Sequence, residues 1–191
     1  IKDENSCYIL IVTHHMIVDG WSQQNYLADL FGGLMGHDII IGESLDGYYE
    51  NYVRRITQRD KRESLRYFEE LLKGYSTRAQ IPSYGIVPED KRSAEDELKL
   101  IIPKDITDSF VRLCVEEKAT VSNGVELVWG LVLQTYSHTK DAVFAKIVSG
   151  RDKSEQDMGR VTGLFINSVP VRVSIDQEVT ARQMLVRLQQ Q

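Results

Sequence analysis

Thr13-His14-His15-Met16-Ile17-Val18-Asp19-Gly20-Trp21-Ser22 sits between two segments of opposite periodicity. Before it, Cys7–Val12 is a short apolar run with β-branched residues, which reads as a buried strand. After it, Trp21–Met35 places Leu27, Leu30, Phe31, Leu34 and Met35 at helical spacing on one face. A strand end beside a helix start is where α/β folds place reacting groups, because side chains there leave the sheet without a packed neighbour. His15 and Asp19 are four apart and would be neighbours in a helix, but Ile17-Val18 and Gly20 disfavour a continuous one. A tight loop is expected instead, with the carboxylate holding the turn and a histidine directed into a cleft. Neutral imidazole can accept a proton from an attacking amine or hydroxyl near pH 7, as no other unperturbed side chain does so readily.

Two other readings stand beside that one. The histidines can form a hydrogen-bonded structural pair at a strand end. They can also ligate a metal, but sequential residues diverge along a pleated strand, and only His37 and His138 remain as further imidazoles. No metal site is therefore expected.

Asp46–Gly74 reads as a long helical region or two helices, with Tyr48, Tyr49, Tyr52, Val53 and Ile56 on one stripe and Leu65, Phe68, Leu71 and Leu72 continuing it. The charged run Arg59–Glu63 marks a break or a solvated face, and Gly74 a stop. Tyr75–Asp96, with Pro82, Gly85 and Pro88, is a long connection, either a crossover or a loop. Leu98, Leu100 and Ile102 alternate as in a strand. Helices are expected over Asp105–Lys118 and over Ser122–Tyr136, the latter apolar nearly all round and so buried. Ala142–Val148 and Val169–Ile175 read as strands, and Thr180 with Gln183 as a capping box for a last helix carrying Met184, Leu185 and Leu188. Trp21 and Trp129 are core residues by default. The class is α/β with a mixed sheet and flanking helices.

Of 191 residues, 42% are hydrophobic and 27% charged, which excludes a disordered or membrane-spanning chain. The balance of 23 basic and 28 acidic residues gives −5, against a basic nucleic-acid footprint; neither nucleic acid nor membrane is expected as a partner. Cys7 and Cys114, far apart and in apolar runs, read as small core residues of a reducing, cytoplasmic compartment.

Four stretches in order resemble the condensation domains of nonribosomal peptide synthetases. Thr13–Ser22 looks like their HHxxxDGWS signature. Tyr49-Glu50-Asn51-Tyr52-Val53-Arg54-Arg55 is similar to YxDYAxW, matching at the two tyrosines. Asp141–Phe144 leading to Ser149-Gly150-Arg151 resembles the strand ending in SGR, and Gly163–Arg172 is similar to GxFVNTxPxR. A lone HxxxD is widespread; the ten-residue form followed by the other motifs is specific. Gly20-Trp21-Ser22 with Phe165-Ile166-Asn167 is closer to ordinary condensation domains than to the epimerization or heterocyclization types.

The resemblance implies a chloramphenicol-acetyltransferase-like fold of two lobes around a tunnel, here a partial two-lobe domain. Residues 1–74 would end the first lobe, 75–96 form a crossover or loop, and 97–191 begin the second. It implies peptide-bond formation between a donor thioester and the amine of an acceptor aminoacyl thioester. Both would arrive on phosphopantetheine arms of donor and acceptor peptidyl carrier proteins, with neighbouring synthetase domains as further partners and no directly bound cofactor. His15 would be the catalytic residue beside the amine. Asp19 would pair with Arg151 to fix the histidine loop, supported by His14 and Gly20, the latter leaving room for the acceptor arm. Trp21, Ser149 and Asn167 would line the tunnel. A stand-alone acyltransferase using an acyl thioester, or a non-catalytic docking module, are the alternatives; intact His15, Asp19 and Gly20 argue against the second.

Both ends read as cuts through a domain, since the chain opens almost directly on an apolar run and stops in an amphipathic helix. An incomplete pair of lobes cannot close a tunnel. The isolated chain is therefore expected to form no peptide bond between two loaded carriers, and product in that assay would overturn the expectation.

Overall fold

The computed structural model describes residues 8–37, 47–82, 97–151, 158–175 and 178–191. Six helices and two strands follow in the order α1 (Gly20–Leu34), α2 (Tyr48–Gln58), α3 (Arg62–Leu71), α4 (Lys104–Glu116), α5 (Val121–Ser137), β1 (Asp141–Val148), β2 (Asn167–Ser174) and α6 (Ala181–Gln190) among these residues. The strands pair antiparallel, and the Ile175 amide extends the register by donating to the Lys140 carbonyl at 2.7 Å. The chain divides into two compact units: residues 1–61 with 147–168, and residues 62–146 with 169–191.

In the first unit, α1 starts at Asp19, whose carboxylate accepts the Ser22 amide as an N-cap. α2 begins after Gly47, which adopts φ 81°, and presents Tyr49 and Tyr52 to a small core of Met158, Val161 and Phe165. The break between α2 and α3 falls within the charged run, as its composition implies.

The second unit packs α5 against α4 and α6. Its core holds Cys114, Leu127, Val171, Val173, Met184, Leu185 and Leu188. Two glycines of α5 permit the close packing: a Cβ at Gly124 would lie 2.6 Å from Phe110, and one at Gly130 would lie 2.4 Å from Val173. Buried polar groups on α5 are satisfied, with Gln134 Nε2 donating to the Val173 carbonyl at 2.8 Å and Glu126 meeting Lys146 Nζ at 2.7 Å. Arg172 of β2 makes a two-nitrogen contact with Asp141 and also donates through Nη1 to the Leu71 and Lys73 carbonyls, capping the end of α3. Thr180 and Gln183 form the expected capping box of α6.

Four expectations are corrected. Tyr8–Val12 carries no regular structure and is 41–88% exposed, because no strand among the described residues lies beside it to complete a ladder. Leu98–Ile102 is likewise irregular and exposed for the same reason. α5 is buried along one face only: Val125, Val128 and Trp129 point outward while Asn123, Glu126 and Gln134 are inside, so polarity alone does not report which side packs. Trp21 and Trp129 are exposed, not core, and much of the α1 apolar stripe, including Phe31, Leu34 and Met35, is exposed with them. Cys7, Asp46 at the start of the expected helical region and residues 83–96 of the long connection lie outside the described residues.

Replacing glycine by alanine inside a helix ordinarily stabilises by about 1 kcal/mol. At Gly130 the sign should reverse: Gly130→Ala is expected to destabilise by about 1–3 kcal/mol in urea unfolding, because Val173 already occupies the space the methyl needs. A stabilised variant would contradict this packing.

Candidate functional site

The site is built around the turn that leads into α1. The Ile17 amide donates to the His14 carbonyl at 3.1 Å, and the Met16 amide donates to His14 Nδ1 at 3.0 Å. His14 is thus occupied in holding the turn through one ring nitrogen. His15 is exposed. Both line an open cleft of about 460 Å³ together with Ile147, Leu164, Ile166 and Asn167. Imidazoles, the Asn167 carboxamide and Ser168 therefore meet the apolar side chains of Met16, Ile147, Leu164 and Ile166, the combination of apolar lining and few polar groups usual in ligand sites.

Beneath the turn lies a buried ionic network. The Asp19 side chain is 0% and the Arg151 side chain 6% exposed, and Arg151 Nη2 donates to Asp19 Oδ1 at 3.0 Å and to Oδ2 at 3.3 Å. Arg151 Nη2 also donates to Ser22 Oγ at 2.9 Å, while Nη1 donates to the Met158 and Val161 carbonyls at 2.6 and 2.8 Å. The guanidinium carbon stands 4.1 Å from the Phe165 ring centroid, a cation–π contact. Among the described residues, Arg151 Nε is buried without a hydrogen-bond partner. Asp19 Oδ1 accepts the Ser22 amide at 2.8 Å, and Oδ2 accepts the Phe165 amide at 3.1 Å.

Ser22 is a node that sequence reading did not single out. It is fully buried. Its hydroxyl accepts from Arg151 and from the Gly163 amide at 3.0 Å, and its single proton can go to Asp19 Oδ1 or to the Gly163 carbonyl, each 2.9 Å away. The available signal was the Asp19-x-x-Ser22 spacing of an N-cap and its third helical residue; the contact to Gly163, 141 positions away, has no local signature. Phe165 was also missed as a support. Tyr49 meets its ring edge-on at 5.2 Å and Tyr52 lies at 4.6 Å.

The electrostatics follow from this geometry. Burial alone would raise the Asp19 carboxyl, but the Ser22 amide and hydroxyl, the Phe165 amide and the Arg151 guanidinium outweigh it and hold the group below its ordinary value. Burial, reinforced by Tyr49, raises the Tyr52 phenol, which stays protonated at neutral pH.

The remaining candidates fall outside the cleft lining or play local parts. Gly20 is the first residue of α1, and a Cβ there would meet nothing within 4 Å. Trp21, 53% exposed, donates through Nε1 to the Gly159 carbonyl at 2.9 Å, beside Asn25, which donates to the same oxygen at 2.6 Å. Ser149 is exposed and accepts the Arg151 amide at 3.4 Å. Gly150 carries the motif's strict geometric demand: its φ is 63°, and a Cβ would fall 1.9 Å from the Phe165 carbonyl oxygen.

The family model described as "Condensation domain" matches residues 1–191. The chain belongs to the condensation-domain family. This condensation-domain chain is 30% identical over 191 residues to tyrocidine synthase 3 of Brevibacillus parabrevis, covering 98% of the chain and 3% of that protein. It is 28% identical over 194 residues to bacitracin synthase 1 of Bacillus licheniformis, covering 99% of the chain and 4% of that protein. The chain thus spans only a few per cent of the length of these relatives. Its fold is similar to that of a four-domain nonribosomal peptide synthetase bound to AMP and glycine, with a TM-score of 0.71 at 22% identity over 93% of this chain and 14% of that one. It is also similar to the first condensation domain of the CDA synthetase, with a TM-score of 0.65 at 16% identity over 90% and 39%.

Removing one member of a buried ion pair leaves the other charge unpaired. Asp19→Ala is expected to cost about 3–5 kcal/mol in urea unfolding at pH 7. Because the folded-state value of Asp19 is depressed, its contribution is present above the unfolded carboxylate value of about 3.9 and is lost as pH falls through the folded value. The gap between wild type and Asp19→Ala should therefore narrow below about pH 4. A gap that does not change with pH would contradict the ion pair.

Proposed function

We propose that this chain carries the histidine-bearing part of a condensation site that joins a donor acyl or peptidyl thioester to the amine of an acceptor aminoacyl thioester. The observation that carries the reading is the shared cleft of His14, His15 and Asn167 above a buried Asp19–Ser22–Arg151 network. Each substrate is held on the phosphopantetheine arm of a carrier protein, so donor and acceptor carriers and neighbouring synthetase domains are the partners. No helix among the described residues is long and apolar enough to cross a membrane.

In the reaction the acceptor nitrogen attacks the donor carbonyl. A C–N bond forms, the C–S bond breaks, and the donor carrier leaves as its thiol. The amine must lose a proton as the tetrahedral centre collapses, and the departing sulfur must gain one. His15, exposed at the cleft, is placed to receive the amine proton and align the nitrogen, and His14 supports it by fixing the turn through Nδ1. Asp19 acts on the fold of the loop: its oxygens are taken up by Ser22, Phe165 and Arg151, so it is not a relay to His15. Asn167 lines the same cleft; its Oδ1 accepts the Ser168 amide at 2.8 Å, which leaves its NH2 group to offer to the reacting groups.

His15→Ala in the complete condensation domain is expected to lower the turnover of condensation by about 10²–10⁴-fold while leaving carrier binding intact, read by product formation from two loaded carriers. Wild-type turnover in that variant would overturn the assignment.

A further inference from the structure

Residues Gly163 to Ile166 run between the buried network and the cleft and alternate between the two, and Asn167 continues on the cleft side. Gly163 and Phe165 face inward and are fully buried, whereas Leu164, Ile166 and Asn167 line the histidine cleft. The inward residues are clamped from both sides. On one side Ser22 Oγ accepts the Gly163 amide and Asp19 Oδ2 accepts the Phe165 amide. On the other, Tyr49 OH donates to the Leu164 carbonyl at 3.3 Å, and the rings of Tyr49 and Tyr52 pack on Phe165. No larger residue fits at Gly163, since a Cβ would lie 2.4 Å from Tyr49. The same Asp19 and Ser22 cap α1 directly after the His14-His15 turn. One buried set of groups thus anchors the helix that follows the His14-His15 turn and the segment that shares its cleft.

We infer that Ser22 is a positioning residue that sets the apolar wall of the cleft through the Gly163–Asn167 strap, and so tunes which acceptor side chain the site accommodates. The inference rests on the reading of His15 as the reacting group. Ser22 does not touch substrate. Removing its hydroxyl leaves the Gly163 amide without its acceptor in a buried place and frees Arg151 Nη2 from one of its two anchors, so the strap shifts and Leu164 and Ile166 move with it. A side chain filling the apolar wall feels that shift, and one too small to reach it does not.

The test is the ratio of kcat/KM for leucyl-loaded over glycyl-loaded acceptor carriers, measured in the complete condensation domain for wild type and Ser22→Ala. A ratio is independent of the fraction of protein that is folded, so a purely structural role leaves it unchanged. The expected result is a ratio altered at least fivefold in Ser22→Ala and returned toward wild type in Ser22→Thr, which keeps the hydroxyl. A ratio within twofold of wild type overturns the inference. Where Ser22→Ala yields no folded protein, Ser22→Cys, which keeps the size of the side chain and weakens its hydrogen bonds to Arg151 and Gly163, is judged by the same limits. His15→Ala is run alongside: wild-type turnover there would sink the reading of the histidine, whereas an unchanged ratio with inactive His15→Ala sinks only the role of Ser22.

Discussion

Asp19 and Arg151 stand 132 positions apart in the chain, yet each has almost its whole side chain withdrawn from water and each is the other's counter-charge. Two ions taken out of water are costly to bury, and their attraction repays that cost only when the remaining donors and acceptors are satisfied. That constraint accounts for the groups gathered around the pair, with Arg151 Nε the one buried side-chain polar atom left unpaired among the described residues. The Ser22 hydroxyl, the Ser22 and Phe165 amides and the Met158 and Val161 carbonyls all converge on the pair, and the Phe165 ring supplies a face for the guanidinium. Gly150 and Gly163 are glycines because backbone or a ring occupies the space a Cβ would need.

The proposed chemistry sits one step away from the charge. Asp19 is spent on structure: it caps the helix that follows the His14-His15 turn, and the cleft these histidines line also includes Leu164, Ile166 and Asn167, whose neighbours Gly163 and Phe165 bond to the same network. An arrangement of this kind gains from rigidity, since reacting groups held near their attack geometry avoid losing orientational freedom during the reaction.

Much of this was legible in the sequence, and the parts that were not share a physical cause. Helix boundaries came from local information: Asp19 before Gly20, the charged run between α2 and α3, and the Thr180–Gln183 box all act within a few residues. The Asp19–Arg151 pair could be named only through the resemblance to condensation domains, because nothing local links the two positions. Ser22 and Phe165 escaped because their decisive partners lie 141 and 146 positions away. Tyr8–Val12 and Leu98–Ile102 were read as strands from apolar composition, which reports a tendency to be covered and not the presence of a cover. The same limit applies to α5, where a nearly all-apolar surface buried its polar residues and left Trp129 outside.

Asp19 and Arg151 act as one coupled unit. A double-mutant cycle with Asp19→Ala, Arg151→Ala and the double variant, followed by urea unfolding at pH 7, measures that coupling directly. A coupling energy of about 2–3 kcal/mol is expected, with the double variant far less destabilised than the sum of the single ones. Additive effects, with a coupling within about 0.5 kcal/mol of zero, would contradict it.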